Sequence, residues 1–186
     1  MPTRLVTALA LLSTGLLAGA FGYGAVNIAT TFHAVPLDVR LTFHSALMRM
    51  NGPVMQTTMA TAALSTVALA VLTRGRRRWL VGAAGALAIA SFLVTRLGNV
   101  PINGRIKVWA VEGPPADHAE ILSRWDAFNI TRTLTALAAF ALVIGAATGA
   151  AHVRRAIGDA GRAGCQDTRM TDQRGGRRWV SGPGTN

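Results

Sequence analysis

Four long apolar stretches limit what this chain can fold into. They cover approximately residues 5–28, 54–73, 79–99 and 132–151, and the only charged residues in them, Arg96 and Arg132, lie near the ends of the last two. Each approaches or reaches the roughly 17–25 residues that a helix needs to cross a bilayer. A water-soluble bundle of such helices would lack a polar face for solvent. The sequence therefore predicts an all-α fold, a four-transmembrane-helix bundle with two structured outer connections.

Basic residues are divided unequally between the segments that flank these spans. One precedes the first span, four lie in the connection 74–78 and seven follow the fourth span, which together are twelve of the 19. Excess lysine and arginine marks the cytoplasmic face. We therefore expect a multi-pass protein of the cell membrane with both termini in the cytoplasm. The net charge of +11 then reflects topology and contact with anionic lipids, and no basic folded module indicates a nucleic-acid partner.

The domain organisation predicted from these patterns is simple. Residues 1–157 form the membrane domain, and residues 158–186 form a disordered basic tail with little apolar surface to bury. The start of the chain also resembles a secretory signal peptide, which would be cleaved. Its apolar run is longer than the usual signal core, and Gly15, Gly19 and Gly22 form a ridge suited to helix packing. A retained first span is the preferred interpretation.

Proline and glycine mark the expected helix boundaries. Pro101 should end the third span, and Pro53 should break or begin the second long helix. Residues 37–50 permit a short amphipathic helix of their own. A loop is expected at residues 112–116, followed by Asp117 as the N-cap of the helix that leads into the fourth span. The single cysteine, Cys165, excludes an intrachain disulfide and with it the quinone–disulfide oxidoreductases.

Polar side chains gather near the outer ends of the third and fourth spans. Trp125, Asn129 and Arg132 lie at i, i+4 and i+7 and share one helical face. Asn99 and Asn103 lie at i and i+4 at the end of the other span. We expect Arg132 to point into the bundle beside Asn129 and Trp125, with Asn99 or Asn103 opposite, at the outer end of a pocket.

Histidines on the predicted outer side offer two further interpretations. His33, His44 and His118 are sufficient in number for a copper or iron site, but their spacing matches no local metal motif. No histidine lies deep inside a span, which argues against a haem held by two histidines. We therefore predict neither a metal nor a cofactor. His44 is the best candidate for a general base, by elimination.

Two segments carry a resemblance to a known family. Asn99-Val-Pro-Ile-Asn-Gly-Arg-Ile106 followed by Arg124-Trp-Asp-Ala-Phe-Asn-Ile-Thr-Arg132 resembles the anthrone oxygenase-like family of four-helix membrane proteins, often catalogued as a domain of unknown function. Some members oxidise anthrones to anthraquinones. The resemblance implies that the five polar residues named above belong to the polar cluster of the family.

The oxidation of an anthrone requires particular chemical groups, and the sequence offers a candidate for each of them. A cofactor-independent oxygenase needs an apolar slot, a base and donors that hold an oxyanion. Catalytic roles are expected for Arg132 and Asn129 at the oxyanion and for His44 as the base. Trp125, Asn99 and Asn103 are expected to bind the substrate. The implied partners are the lipid bilayer, a hydrophobic aromatic molecule and O2.

Two other classes of function stay open at this point. A non-catalytic membrane protein that binds lipid or a partner complex would use the same polar residues. A small transporter is disfavoured because no span carries a charge at its midplane or the interrupted pattern of transporter helices. The sequence contains no signal for a particular oligomeric state.

The predicted topology is directly testable. A reporter that is active only in the cytoplasm should be active after Asn186 or near Gly75, and silent near Gly113, because of the basic asymmetry. Measuring reporter activity in cells at the three positions checks this. Activity near Gly113 would overturn the four-span topology.

Overall fold

The computed structural model describes the backbone of residues 2–175 and the side chains of residues 3–149. Within that part every regular element is a helix, which confirms the all-α prediction. The helices follow one another along the chain as α1 (Pro2–Tyr23), a π-helix (Gly24–Ile28), α2 (Ala29–Ala34), α3 (Leu37–Leu72), α4 (Gly75–Val94), a second π-helix (Thr95–Asn99), α5 (Val100–Glu112) and α6 (His118–Gly175).

Adjoining helices join into four rods that are long and apolar enough to cross a membrane. The rods cover Thr3–Ala34, Leu37–Leu72, Gly75–Glu112 and His118–Gly149. Each of the four predicted spans overlaps a different rod. The rods have 32 to 38 residues, more than the roughly 20 that cross a bilayer. Most of the extra turns lie at the ends farthest from the connection at residues 73–74. Large apolar side chains such as Leu5 (73% exposed) and Leu64 (71% exposed) cover the outside, as expected for a surface that faces lipid.

The side chains that form the core differ in size between the two ends of the bundle. Near the Thr73–Arg74 connection, all four rods contribute small or medium side chains to one cluster, among them Ala10, Leu69, Ala84 and Ala139. Small residues of this kind let membrane helices approach closely. The opposite end carries the connection at residues 113–117 and is called the loop end here. Its cluster contains large rings and Ile and Leu side chains, including Phe32, Trp109 and Trp125.

Both predictions of helix interruption at proline are wrong. Pro53 lies inside α3, which continues from Leu37 to Leu72, so residues 37–50 are part of a longer helix. Gly52 precedes Pro53, and its missing Cβ removes one of the clashes that oppose a helical residue before proline. Pro101 lies in the first turn of α5, directly after a π-helix. The backbone N–H of Val100 bonds to the carbonyl of Thr95 there, so the wider π-turn absorbs the proline within one rod.

The loop expected at residues 112–116 is confirmed. α5 ends at Glu112, and Gly113 adopts a φ of +92°, which a side chain would disfavour. α6 begins at His118, directly after Asp117.

The division into a membrane domain of residues 1–157 and a disordered tail stays a prediction. The chain separates into two compact units, residues 1–147 and 148–186. The backbone is helical as far as Gly175, well into the segment for which the sequence predicts a tail. Residues 176–186 lie outside the described part.

One close contact between rods requires a glycine. A Cβ atom placed on Gly98 would lie 2.6 Å from Cγ of Phe128, well inside van der Waals contact. Cγ is the fixed base of that ring, so the ring cannot avoid the clash by a small rotation. Gly98 lies in the second π-helix and Phe128 on α6. This contact sets the separation of the third and fourth rods at the level where the polar residues lie.

We predict that Gly98→Ala destabilises the protein by about 1–3 kcal/mol, the usual cost of overpacking. Gly104→Ala is the matched control, because a Cβ atom there meets nothing within 4 Å and alanine favours a helix. Thermal unfolding of both variants in detergent measures the difference. A Gly98→Ala protein as stable as Gly104→Ala would contradict the assigned packing.

Candidate functional site

The side-chain amide oxygen of Asn103 connects three rods at the loop end. Trp125 Nε1 donates to Asn103 Oδ1 at 2.7 Å, and His44 Nε2 lies 3.0 Å from the same oxygen. An indole N–H can only donate, so the Asn103 atom at this position is the oxygen. His44 Nε2 must then carry the hydrogen. In the neutral imidazole the other nitrogen, Nδ1, is left with a free electron pair.

That electron pair is buried. His44 has no exposed surface, and its Nδ1 finds no hydrogen-bond partner among the described residues. Two aromatic rings hold the imidazole in place. Phe32 stacks on it with a centroid distance of 4.7 Å and an interplanar angle of 11°. Trp125 approaches it at 4.8 Å and 66°. The arrangement gives a basic nitrogen in a water-poor, aromatic environment.

Arg132 and Asn129 form a second part of the cluster on α6. Arg132 donates to Asn129 Oδ1 through Nε at 3.1 Å and through Nη2 at 2.7 Å. The guanidinium carbon also lies 4.4 Å from the centroid of the Phe21 ring, on α1. The Arg132 carbonyl accepts a hydrogen bond from Ser91 Oγ at 3.0 Å. The guanidinium is therefore held between α1 and α6, and the Ser91 bond joins the third rod to the α6 backbone at the same residue.

The sequence-predicted residues are therefore brought together in two linked sets. Arg132 lies beside Asn129, as expected. The two span-three amides bind Trp125 instead of Arg132: Asn103 accepts from its ring, and Asn99 Nδ2 donates to its carbonyl at 3.1 Å. His44, expected as a base only by elimination, lies at the centre of the network.

The cluster is closed in this structure. Asn99 and His44 have no exposed surface, and Trp125 is 2% exposed. Two open grooves are not lined by any of the six residues selected from the sequence. One of about 530 Å³ is lined by residues of the loop end, including Asp38, Trp109 and Gly113. The other, of about 600 Å³, adjoins Arg74 and Arg77 at the opposite end. A ligand would reach His44 only if side chains around it move.

A second charged group lies beside His44 that was not predicted from the sequence. Arg40, one turn before His44 on α3, is only 6% exposed. Its Nη2 lies 3.9 Å from Asp126 Oδ1, and Asp126 Oδ2 lies 3.1 Å from His33 Nε2. The i, i+4 spacing of Arg40 and His44 is the signal that could have revealed it. Phe32, which packs on both side chains, carried no such signal.

Positive charge dominates the surroundings of the imidazole. Arg40 and Arg132 both lie within electrostatic range of His44, and Asp126 is the carboxylate paired with the first of them. The histidines considered for a metal site do not converge. His33 contacts Asp126, His44 contacts Asn103, and His118 Nδ1 lies 2.7 Å from the carbonyl of Pro115. No group of three potential metal-ligating side chains occurs among the described residues.

Comparison with known proteins identifies a family that the chain resembles over more than half of its length. A family model described as anthrone oxygenase matches residues 39–142. That range contains all six residues selected from the sequence, as well as Arg40 and Asp126. No curated protein and no solved structure matches the chain significantly.

We predict that Asn103→Ala destabilises the protein by about 2–4 kcal/mol, because it leaves two buried donors, on His44 and Trp125, without an acceptor. Asn103→Asp keeps the acceptor oxygen and should cost less. Asn51→Ala is the control, since Asn51 is exposed on α3. Thermal unfolding with tryptophan emission as the probe separates the three variants. Equal midpoints for Asn103→Ala and Asn51→Ala would show that the shared oxygen contributes little.

Proposed function

The chain belongs to the anthrone oxygenase family, and on that premise we propose that this membrane protein is a cofactor-independent oxygenase. Its substrate is a hydrophobic polycyclic aromatic ketone with an acidic methylene group, and its co-substrate is O2. The observation that carries the proposal is the buried, unpartnered Nδ1 of His44, held by a hydrogen bond from the opposite side of the ring. This is the state that a general base requires.

The reaction balances without a further reductant. His44 Nδ1 removes one methylene proton, and the electron pair left on carbon delocalises onto the ketone oxygen as an enolate. The enolate passes electrons to O2, a carbon–oxygen bond forms, and the proton returns to give a hydroperoxide. Loss of the second methylene hydrogen with cleavage of the O–O bond yields a carbonyl and one water. One substrate and one O2 become one quinone and one water.

The cationic surroundings favour the first step. An enolate is negatively charged, and Arg132, positioned by its two bonds to Asn129, stabilises negative charge nearby. Asn103 keeps the proton on Nε2 of His44 and so keeps Nδ1 free. Trp125 and Phe32 supply flat apolar surfaces on which a polycyclic ring can stack. Asn99 fixes the backbone from which Trp125 projects.

The depth of the site suits a substrate that dissolves in lipid. About 20 residues of helix cross the hydrocarbon core. Counted from the arginines at 74–78, that length reaches about residue 53 on α3 and residue 99 on the third rod. His44 and Asn103 lie one to three turns beyond, near the outer headgroups if both termini are cytoplasmic. A flat aromatic molecule in the bilayer would enter from the side, after displacement of Phe32 and the six-residue helix Ala29–Ala34 that carries it.

A second function is favoured by one specific observation. The network is closed, and it ties three rods through hydrogen bonds that are already satisfied at Asn103, Asn129 and Trp125. The same contacts would serve a non-catalytic membrane protein that binds lipid or a partner. The polar residues would then only stabilise the packing of the helices. In that case the protein would consume no O2 with any aromatic ketone.

Replacement of the base separates these functions. We predict that His44→Gln lowers anthrone-dependent O2 consumption by about 10²–10⁴-fold, the usual contribution of a general base. Glutamine keeps a donor for Asn103 but has no basic nitrogen. His118→Gln should retain full activity, because His118 is the first residue of α6 and contacts the carbonyl of Pro115 instead of the polar cluster. Oxygen uptake and quinone absorbance, measured on purified protein in lipid nanodiscs, give the rates.

Two results would contradict the proposed function. The first is a wild-type protein that does not accelerate O2 uptake above the rate in empty nanodiscs. The second is a folded His44→Gln protein that matches the wild-type rate.

A further inference from the structure

Unsatisfied polar atoms collect beside His44, on one wall of the site. Arg40 Nε and Nη2, Asp126 Oδ1 and His44 Nδ1 are all buried without a hydrogen-bond partner among the described residues. Leaving one such atom bare costs free energy, and more so when the group is charged. Their concentration within one turn of α3 and the facing part of α6 is what a binding site for a polar group of a ligand requires.

The positive charge of Arg40 is poorly neutralised by the groups around it. Its closest carboxylate oxygen, Asp126 Oδ1, is 3.9 Å away, beyond hydrogen-bond reach. Asp126 directs its other oxygen toward His33 at 3.1 Å. The guanidinium carbon lies 5.5 Å from the centroid of Phe32, so the planar fork of donors is held beside an aromatic ring. A planar fork of this kind is suited to oxygen acceptors of a ligand.

The guanidinium of Arg132, unlike that of Arg40, has partners within the protein. Two of its nitrogen atoms already share the Asn129 oxygen, and Phe21 covers the guanidinium. Part of its donor capacity is therefore used within the protein, whereas Arg40 Nε and Nη2 are free to bind.

Resting on the proposed function, we propose that Arg40 is a substrate-binding residue that donates hydrogen bonds to the ketone oxygen, which becomes the enolate oxygen after proton removal. Arg40 and His44 lie at i and i+4 on α3, where side chains are neighbours about 5–6 Å apart at Cβ. One turn of helix thus presents a cation to the oxygen and a base to the methylene of the same ring. The site selects aromatic ketones in which a carbonyl and an acidic methylene belong to one ring.

The inference is tested by binding, without turnover. Anthraquinone and anthracene share a flat three-ring shape, but only anthraquinone carries carbonyl oxygens. Dissociation constants for both are measured by tryptophan quenching with the protein in nanodiscs. We expect the wild type to prefer anthraquinone by about tenfold or more, the effect of a charged hydrogen bond. Arg40→Gln should abolish the preference and Arg40→Lys should reduce it. Arg49→Gln, an exposed arginine on the same helix, should leave the preference intact.

A second variant separates ligand binding from a structural ion pair. Asp126→Asn removes the charge that faces Arg40 but leaves the guanidinium in place, so the preference for anthraquinone should persist. Equal loss of preference in Asp126→Asn and Arg40→Gln, or an unchanged preference in Arg40→Lys and Arg40→Gln, would overturn the assignment. So would equal binding of both probes by the wild type. Absence of O2 uptake with the preference retained would refute the oxygenase and leave the Arg40 site standing.

Discussion

The hydrogen bonds that converge on the Asn103 oxygen are the interaction on which the rest of the site depends. One acceptor on α5 fixes the indole of α6 and the imidazole of α3, so three rods are held in register by a single atom. The donor-only indole also decides the chemistry. Because it identifies the Asn103 atom as oxygen, it places the hydrogen of His44 on Nε2 and leaves Nδ1 basic.

The position of this interaction follows from how the bundle is packed. Toward the Arg74 end the rods pack through alanine, valine and leucine side chains, and the Ser13 and Ser65 hydroxyls lie 3.2 Å apart in the core. Toward the loop end, aromatic rings separate the rods and leave room for polar side chains among them. The π-helix Thr95–Asn99 adds a residue to one turn just where the packing changes. It aims Asn99 and Asn103 at α6 and accommodates Pro101 in the same rod.

Much of the fold and part of the polar cluster could be predicted from the sequence, for physical reasons that differ between residues. The spacing of Asn129 and Arg132 on one helix predicted their contact, because helical periodicity is local. The apolar runs predicted four helices, because a bilayer sets their length. The two proline predictions failed, since a π-turn and a preceding glycine are tertiary accommodations that no local rule reveals. Arg40 was missed because the carboxylate that faces it, Asp126, lies far along the chain on α6. Phe32 was missed because its contacts with Arg40 and His44 form between two rods. The catalytic and binding roles assigned to all these residues remain predictions.

The proposed chemistry requires that His44 is neutral, with its hydrogen on Nε2 and a free electron pair on Nδ1. Nitrogen-15 NMR of protein labelled at histidine, compared with a His44→Gln sample to identify the signal, reports the protonation of each ring nitrogen. We expect a protonated Nε2 and an unprotonated Nδ1 for His44 at neutral pH. A hydrogen on Nδ1, in the other neutral tautomer or in a doubly protonated ring, would contradict it, because the site would then contain no base at this position.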